Sequence, residues 1–270
     1  MESAGGPVAA GPDPGVGPGP PPAVAVALFA DRLPEAVAYA ALLAGPGVVR
    51  GLIGPREVPR LWDRHLVNCG VVAAGLSRGA RVADLGSGAG LPGVVVAILR
   101  PDLQVTLIEP LLRRATFLGE VVAELGLANA VVLRTRAEEH PRGGGVAPAE
   151  RGYDAVLARA VAPLERLAGW ALPLLRPGGR LLAVKGSAAA REMAEAEAAL
   201  RALGAVGAEV REYGVTGFEA VTTVIEVVAG QVAAAPGPGR PARAAHGRRE
   251  RPPRVSRETA GRRTGRSGRG

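Results

Sequence analysis

Apolar positions follow three different regimes along the chain. Over 28–44 they recur at helical spacing, through Leu28, Phe29, Leu33, Val37, Tyr39 and Leu43. Proline is accepted in the first turn of a helix but not in its interior, so Pro34 predicts the start of a second helical piece. Gly45-Pro46-Gly47 predicts its end. A longer helix is predicted over 56–76, with Leu61, Trp62, His65, Leu66, Cys69 and Val72 on one broad face. From 81 onward the period changes. Short apolar runs at 81–85, 104–109, 130–134, 153–157 and 180–185 alternate with helical patterns at 92–99, 111–127, up to 175, and 188–203. That alternation is the mark of βαβ units, which build a parallel sheet with helices on both faces. Two late runs, around 209–213 and 220–228, are joined by so short a link that they must pair antiparallel.

The third regime is the two ends. Residues 1–22 and those from 233 onward are dominated by Gly, Pro and Ala, joined at the far end by Arg, with scarcely any large apolar side chain. Such segments cannot offset the entropy of ordering and are expected to be disordered. The pattern therefore divides the chain into a tail over 1–25, an N-terminal helical cap over 26–78, an α/β core over 79–230 and an Arg-rich tail over 231–270. A mostly parallel seven-stranded sheet whose last strand runs backwards is the Rossmann-like arrangement of class I S-adenosylmethionine (SAM)-dependent methyltransferases.

Composition changes this picture in three places. The apolar runs are too short to span a bilayer, so no membrane segment is expected, and the N-terminus lacks the basic start and apolar stretch of an export signal. A single cysteine, Cys69, leaves no disulfide framework and no cysteine-based zinc site, which fits a reducing cytoplasm and a protein without a metal. The net charge of +8 is local: residues 231–270 carry eleven arginines against Glu250 and Glu258, leaving the rest close to neutral. Any affinity for nucleic acid that rests on net charge is therefore a property of the tail.

The chain is organised around Val82–Gly93, the stretch VADLGSGAGLPG. It reads as a buried strand ending in an acid, a glycine turn and a helix start with Pro92 at the first position. Gly88-Ala89-Gly90-Leu91-Pro92-Gly93 fits the dinucleotide pattern G-x-G-x-x-G, while Asp84-Leu85-Gly86-Ser87-Gly88-Ala89-Gly90 fits the turn of SAM enzymes. A carboxylate just before the turn would repel a pyrophosphate, whereas SAM carries an ammonium and a sulfonium. A second acid, Glu109, closes the next strand, where ribose hydroxyls would need an acceptor. Asp84 and Glu109 together favour SAM over NAD; a tight turn without a ligand is the remaining reading.

The chain also resembles one family, the bacterial guanine-N7 methyltransferases of small-subunit (16S) ribosomal RNA, RsmG or GidB. The matching stretches are RLWDRHLVNC before the sheet, DLGSGAGLPG, TLIEPLLRRATFL, TRAEE after strand three, LARAVAPL after strand four and LLAVKG in strand five. In order and spacing they cover about residues 28–228. The resemblance implies SAM as methyl donor, with Gly86, Leu91, Ala137, Glu138 and Arg159 touching it, and 16S ribosomal RNA or the small ribosomal subunit as partner. From the residues alone, Glu138 reads equally as a solvated loop acid, Arg159 as a ligand for the methionine carboxylate or the target or else as a surface arginine, and His65 as a packed structural histidine. Lys185 either approaches the RNA backbone or caps its strand.

The chemistry narrows by what is missing. The Asn/Asp-Pro-Pro-aromatic motif of exocyclic-amine methylation is replaced by Ala158-Arg159-Ala160, and Cys69 lies in the cap, away from where a pyrimidine nucleophile would be needed. Guanine N7 needs neither device, because its lone pair is free, so no catalytic base is expected. A small-molecule SAM methyltransferase and a non-catalytic nucleotide-binding domain are the other readings; the intact Asp84, Gly86, Gly88, Gly90 and Glu109 speak against the second.

Overall fold

The structure is a computed structural model and describes residues 17–139 and 152–230. Its centre is β1 (Arg81–Leu85), which pairs in parallel with β2 (Gln104–Ile108) on one side and β4 (Tyr153–Arg159) on the other. β3 (Ala130–Leu133) extends the sheet beyond β2, and β5 (Leu175–Lys185) follows β4, both parallel. β7 (Val221–Ala229) then inserts antiparallel between β5 and the edge strand β6 (Ala205–Gly214), giving the order β3-β2-β1-β4-β5-β7-β6. The expected α/β fold, class I methyltransferase topology with one reversed strand and an antiparallel late pair, is the observed one.

Alternation along the strands decides which helices cover which face. Val82, Val105, Leu107, Ala155, Leu157 and Val184 point to one side, where α4 (Gly93–Leu99), α5 (Leu112–Glu124) and the N-terminal helices pack. Ala83, Leu85, Ile108, Val156, Leu181 and Ile225 point to the other, against α6 (Leu164–Ala171) and α7 (Ala189–Ala202). The N-terminal cap residues and one sheet face thus share a single apolar core. Each of its fully buried large side chains, such as Leu61 and Leu66, contributes about 1.5–3 kcal/mol.

The cap differs from its sequence-based outline in three respects. α1 (Ala23–Phe29) begins inside the predicted tail. Pro22 supplies the carbonyl that accepts from the Ala25 and Val26 amides, and the Gly19 carbonyl accepts from Trp62 Nε1 at 3.1 Å. Backbone contacts with a buried indole order a stretch whose own side chains could not. α2 (Leu33–Leu42) starts as Pro34 predicts, but the helical path continues through Gly45-Pro46-Gly47 as a wide π turn over Leu43–Gly47, in which the missing Pro46 amide is tolerated. The predicted 56–76 helix is a chain of pieces. A tight 3₁₀ segment at Pro55–Arg60 holds Pro59, a π segment spans Leu61–Val67, α3 is the single turn Asn68–Gly70, and a 3₁₀ end follows at Val71–Gly75. Packing against the sheet, not helical propensity, sets this path. In the sheet, β5 contains the predicted turn at 176–179 as a bulge: Tyr153 pairs with Leu175 and Ala155 with Arg180, and Gly178 takes φ +74°. The Gly143-Gly144-Gly145 run and the Arg-rich tail lie outside the described residues.

Polar links near its end fasten the cap path to the core. Thr222 Oγ1 donates to the Asn68 carbonyl at 2.9 Å, Arg100 Nη1 donates to the Ala73 and Leu76 carbonyls, and Arg180 donates to the Gly75 carbonyl. Among the described residues no helix is long and apolar enough to cross a membrane.

Candidate active site

The glycine turn after β1 is set by close approach. Gly90 has φ +102°, and a Cβ there would meet Val94 Cγ2 at 2.5 Å and the Tyr39 hydroxyl at 2.6 Å. Tyr39, fully buried in α2, donates its hydroxyl to the Ala89 carbonyl at 2.7 Å, so the cap holds the loop from above. A Cβ on Gly93 would lie 2.6 Å from Asp84 Oδ2, which accepts the Gly93 amide at 3.0 Å.

Asp84 is therefore turned beneath the loop, to the start of α4. It is fully buried, Oδ1 has no hydrogen-bond partner, and burial pushes its carboxyl up to about 7. The Ser87 hydroxyl and the Gly93 amide oppose that rise, and the Glu109 charge adds to it. Glu109 closes the other side of the turn. Its Oε2 accepts from the Gly88 amide at 3.0 Å and its Oε1 from the Leu111 amide at 2.9 Å. A carboxylate offers about four lone-pair sites, so two acceptor directions are left over.

Glu109 and Gly86 line a cleft of about 590 Å³ at the carboxyl ends of β1, β2 and β3, together with Pro110, Leu111, Arg114, Arg134, Arg136 and Val161. Arg114 Nε is buried without a hydrogen-bond partner, and its Nη1 stands 3.9 Å from Glu109 Oε2. A smaller cleft of about 220 Å³ adjoins it, sharing Gly86, Pro110, Arg136 and Val161. Ala137, Glu138 and Trp170 line this second space. Gly86, Glu109, Ala137 and Glu138, far apart in sequence, are thus brought to one place. Leu91 does not line either cleft and packs, half-buried, against the apolar core.

Arg159 ends β4 but its side chain turns to the cap. Its Nη2 lies 2.8 Å from His65 Nδ1 and its Nη1 donates to Cys69 Sγ at 3.1 Å. His65 Nε2 in turn lies 2.8 Å from Glu57 Oε2. Burial lowers the His65 pKa; the Glu57 hydrogen bond opposes this and the Arg159 charge reinforces it. Beyond Ala160 and Val161 opens a third cleft of about 510 Å³, where Lys185 Nζ pairs with Glu192 Oε1 at 2.7 Å and donates to the Ala162 carbonyl.

A loop that packs glycine onto a buried acid, with a second acid facing a cleft at the sheet's switch point, suits a ligand carrying ribose hydroxyls. Comparison with known proteins decides the family. The family model for GidB, rRNA small subunit methyltransferase G, matches residues 32–216. The chain belongs to the GidB family. It is 56% identical over 225 residues to ribosomal RNA small subunit methyltransferase G of Salinispora tropica, covering 83% of this chain and 92% of that protein. The protein of the same name from Salinispora arenicola is 54% identical over 246 residues, covering 90% and 99%. That from Thermobifida fusca is 56% identical over 200 residues, covering 74% and 81%. As a member of the GidB family the chain is a SAM-dependent rRNA methyltransferase, and the fit to SAM can be judged on its own atoms. The unused lone pairs of Glu109, the orphaned Arg114 Nε and the adjoining clefts give polar and apolar subsites large enough for a nucleoside.

Several GidB residues that shape this site carry weak sequence signals. Tyr39 and His65 read as members of apolar helix faces, yet each has a polar end that must find a partner when buried. That requirement was the available signal. Trp170, which lines the smaller cleft with Glu138, had none beyond being one of two tryptophans.

Proposed function

We propose that this protein transfers a methyl group from SAM to N7 of a guanine in 16S ribosomal RNA. It would act in the cytoplasm on the small subunit or its RNA. The observation that carries the reading is Glu109, held by the loop amide of Gly88 while facing the cleft, in a chain of the GidB family. SAM, when bound, supplies an electrophilic methyl on a positively charged sulfur. Glu109 accepts from the ribose hydroxyls through its unused lone pairs. Gly86 lets the backbone lie against the ligand, and Ala137 and Glu138 meet the adenine edge, with Trp170 beside it. The family resemblance implies that Leu91 and Arg159 also touch SAM; here Leu91 packs against the apolar core and the Arg159 side chain turns to the cap, so their part is to hold the turn and the end of β4. Asp84 acts from below, as the acid that fixes the turn on α4.

The target base enters the cleft lined by Lys185, Arg191 and Glu192, which shares Ala160 and Val161 with the larger cofactor cleft. Arg134 and Arg136, both exposed at the rim, meet the RNA backbone. Guanine N7 carries a free lone pair, so the residues have no proton to remove; their work is orientation and electrostatic preorganisation. Cys69 is fully buried and its thiol is pushed up to about 11, mainly by burial, so it offers no thiolate for a covalent route.

The test is transfer of labelled methyl from SAM to purified small subunits and to naked 16S RNA, followed by digestion to nucleosides. Label in 7-methylguanosine is expected. Label in another nucleoside, or none in RNA while a small molecule is methylated, contradicts the reading.

A further inference from the structure

Arg159 poses a question that the cofactor alone does not answer. It is the residue before the wall between two clefts, yet its guanidinium is held by two cap residues, His65 and Cys69, and His65 is in turn bonded to Glu57. A guanidinium has donors only, so His65 Nδ1 must be the acceptor of the 2.8 Å bond from Arg159. The ring proton then sits on Nε2 and is donated to Glu57 Oε2 at 2.8 Å. The chain of bonds thus fixes one tautomer of a neutral imidazole. A doubly protonated ring would turn an N–H toward Arg159 and break the link.

What the link holds is the backbone that follows. Ala160 adopts φ +53°, a left-handed conformation that a residue with a side chain occupies only when its surroundings impose it. Ala160 and Val161 line both the 590 Å³ cofactor cleft and the 510 Å³ cleft beyond it. Val161 Cγ2 also stands 3.0 Å from where a Cβ on Gly86 would lie, so a shift at this wall reaches the glycine turn. We propose that Glu57 and His65 are positioning residues for methyl transfer, which hold the Arg159 side chain and thereby the Ala160–Val161 wall between the cofactor and target clefts. This rests on the function proposed above.

The charged groups that face His65 are Glu57 and Arg64 from the cap and Arg159 from β4; Cys69 meets Arg159 from α3. Burial, with the two cations adding to it and Glu57 opposing, keeps the ring neutral to a pH below its ordinary titration range. Protonation on the acid side should release Arg159, and an acid limb in kcat is the signature.

The experiment measures kcat and KM for SAM and for small subunits between pH 5 and 8, with melting temperature alongside, for the wild type, His65→Asn, His65→Gln and Glu57→Gln. The Asn carbonyl can stand where Nδ1 accepts, whereas Gln places its amide nearer to Nε2 and leaves Arg159 without an acceptor. His65→Gln should lose kcat on the order of tenfold, the scale of one hydrogen bond to a charged group. His65→Asn should stay within about threefold of the wild type and lack its acid limb, and Glu57→Gln should fall between the two. Equal kcat and pH profiles in all four proteins, or equal loss in both His65 variants, overturns the inference while leaving the methyltransferase reading intact. A lowered melting temperature with normal turnover of the folded fraction overturns it too. A wild type that makes no 7-methylguanosine overturns the functional reading and this inference with it.

Discussion

Two buried acids, Asp84 and Glu226, show how differently the two halves of the sheet treat the same chemical group. Glu226, in β7, is 2% exposed and fully engaged: Arg180 Nη1 donates to it at 2.8 Å, the Tyr213 hydroxyl donates to it, and Arg211 Nε lies 3.9 Å away. Asp84, in β1, is fully buried with one bond from Gly93 and an oxygen that has no partner. The first arrangement is what a stable sheet requires, because a buried charge must be paired. The second leaves a cost uncompensated, and it sits directly under the glycine turn. Incomplete polar satisfaction therefore marks the end of the sheet where a ligand is handled, and complete satisfaction marks the end that only holds the fold.

Folding raises the Asp84 pKa from 3.8 to about 7, so the native state holds this proton more tightly than the unfolded chain does. Asp84 then stabilises the fold below about pH 4, and that contribution is lost as the pH rises toward 7. The loss is on the order of 4 kcal/mol. Denaturant titrations across this window should show it for the wild type and not for Asp84→Asn; an unchanged pH profile in the variant would mean that Asp84 is not the group responsible. Glu226→Ala removes the charge partner of Arg180 and should cost roughly 3 kcal/mol, while SAM affinity per folded molecule stays as it was. Loss of SAM binding in that variant would erase the distinction between the two ends. Glu109→Ala should do the reverse, lowering SAM affinity by about 1–3 kcal/mol in calorimetry. Affinity within error of the wild type would remove Glu109 from the site. The smallest effect concerns the Arg-rich segment outside the described residues. Truncation after Gly230 should leave SAM binding intact and flatten the salt dependence of RNA association, by about 0.7 in slope per phosphate released. Superimposable salt titrations would make the segment a passenger.

The sheet was legible because its strands obey a period of two and its helices one near 3.6, and because Asp84 and Glu109 each close a strand. Ala137 and Glu138, after strand three, line the smaller cleft that adjoins the one Glu109 lines. What the pattern could not show was direction. Nothing in Val82–Gly93 says that Asp84 faces the Gly93 amide and not the cleft, since that depends on how closely α4 approaches β1. Nor does LARAVAPL say that Arg159 reaches 94 residues back to His65. The broken helical path over 55–75 escaped for a related reason: its backbone follows the shape of the core, and local periodicity carries no record of that shape.

The most direct test of the whole account is mass mapping of 16S ribosomal RNA from the source cells with and without this protein. The account predicts that one guanine loses its N7 methyl group when the protein is absent, and regains it on expression of the wild type but not of Glu109→Ala. An identical guanine-N7 methylation pattern in both cell lines would contradict it.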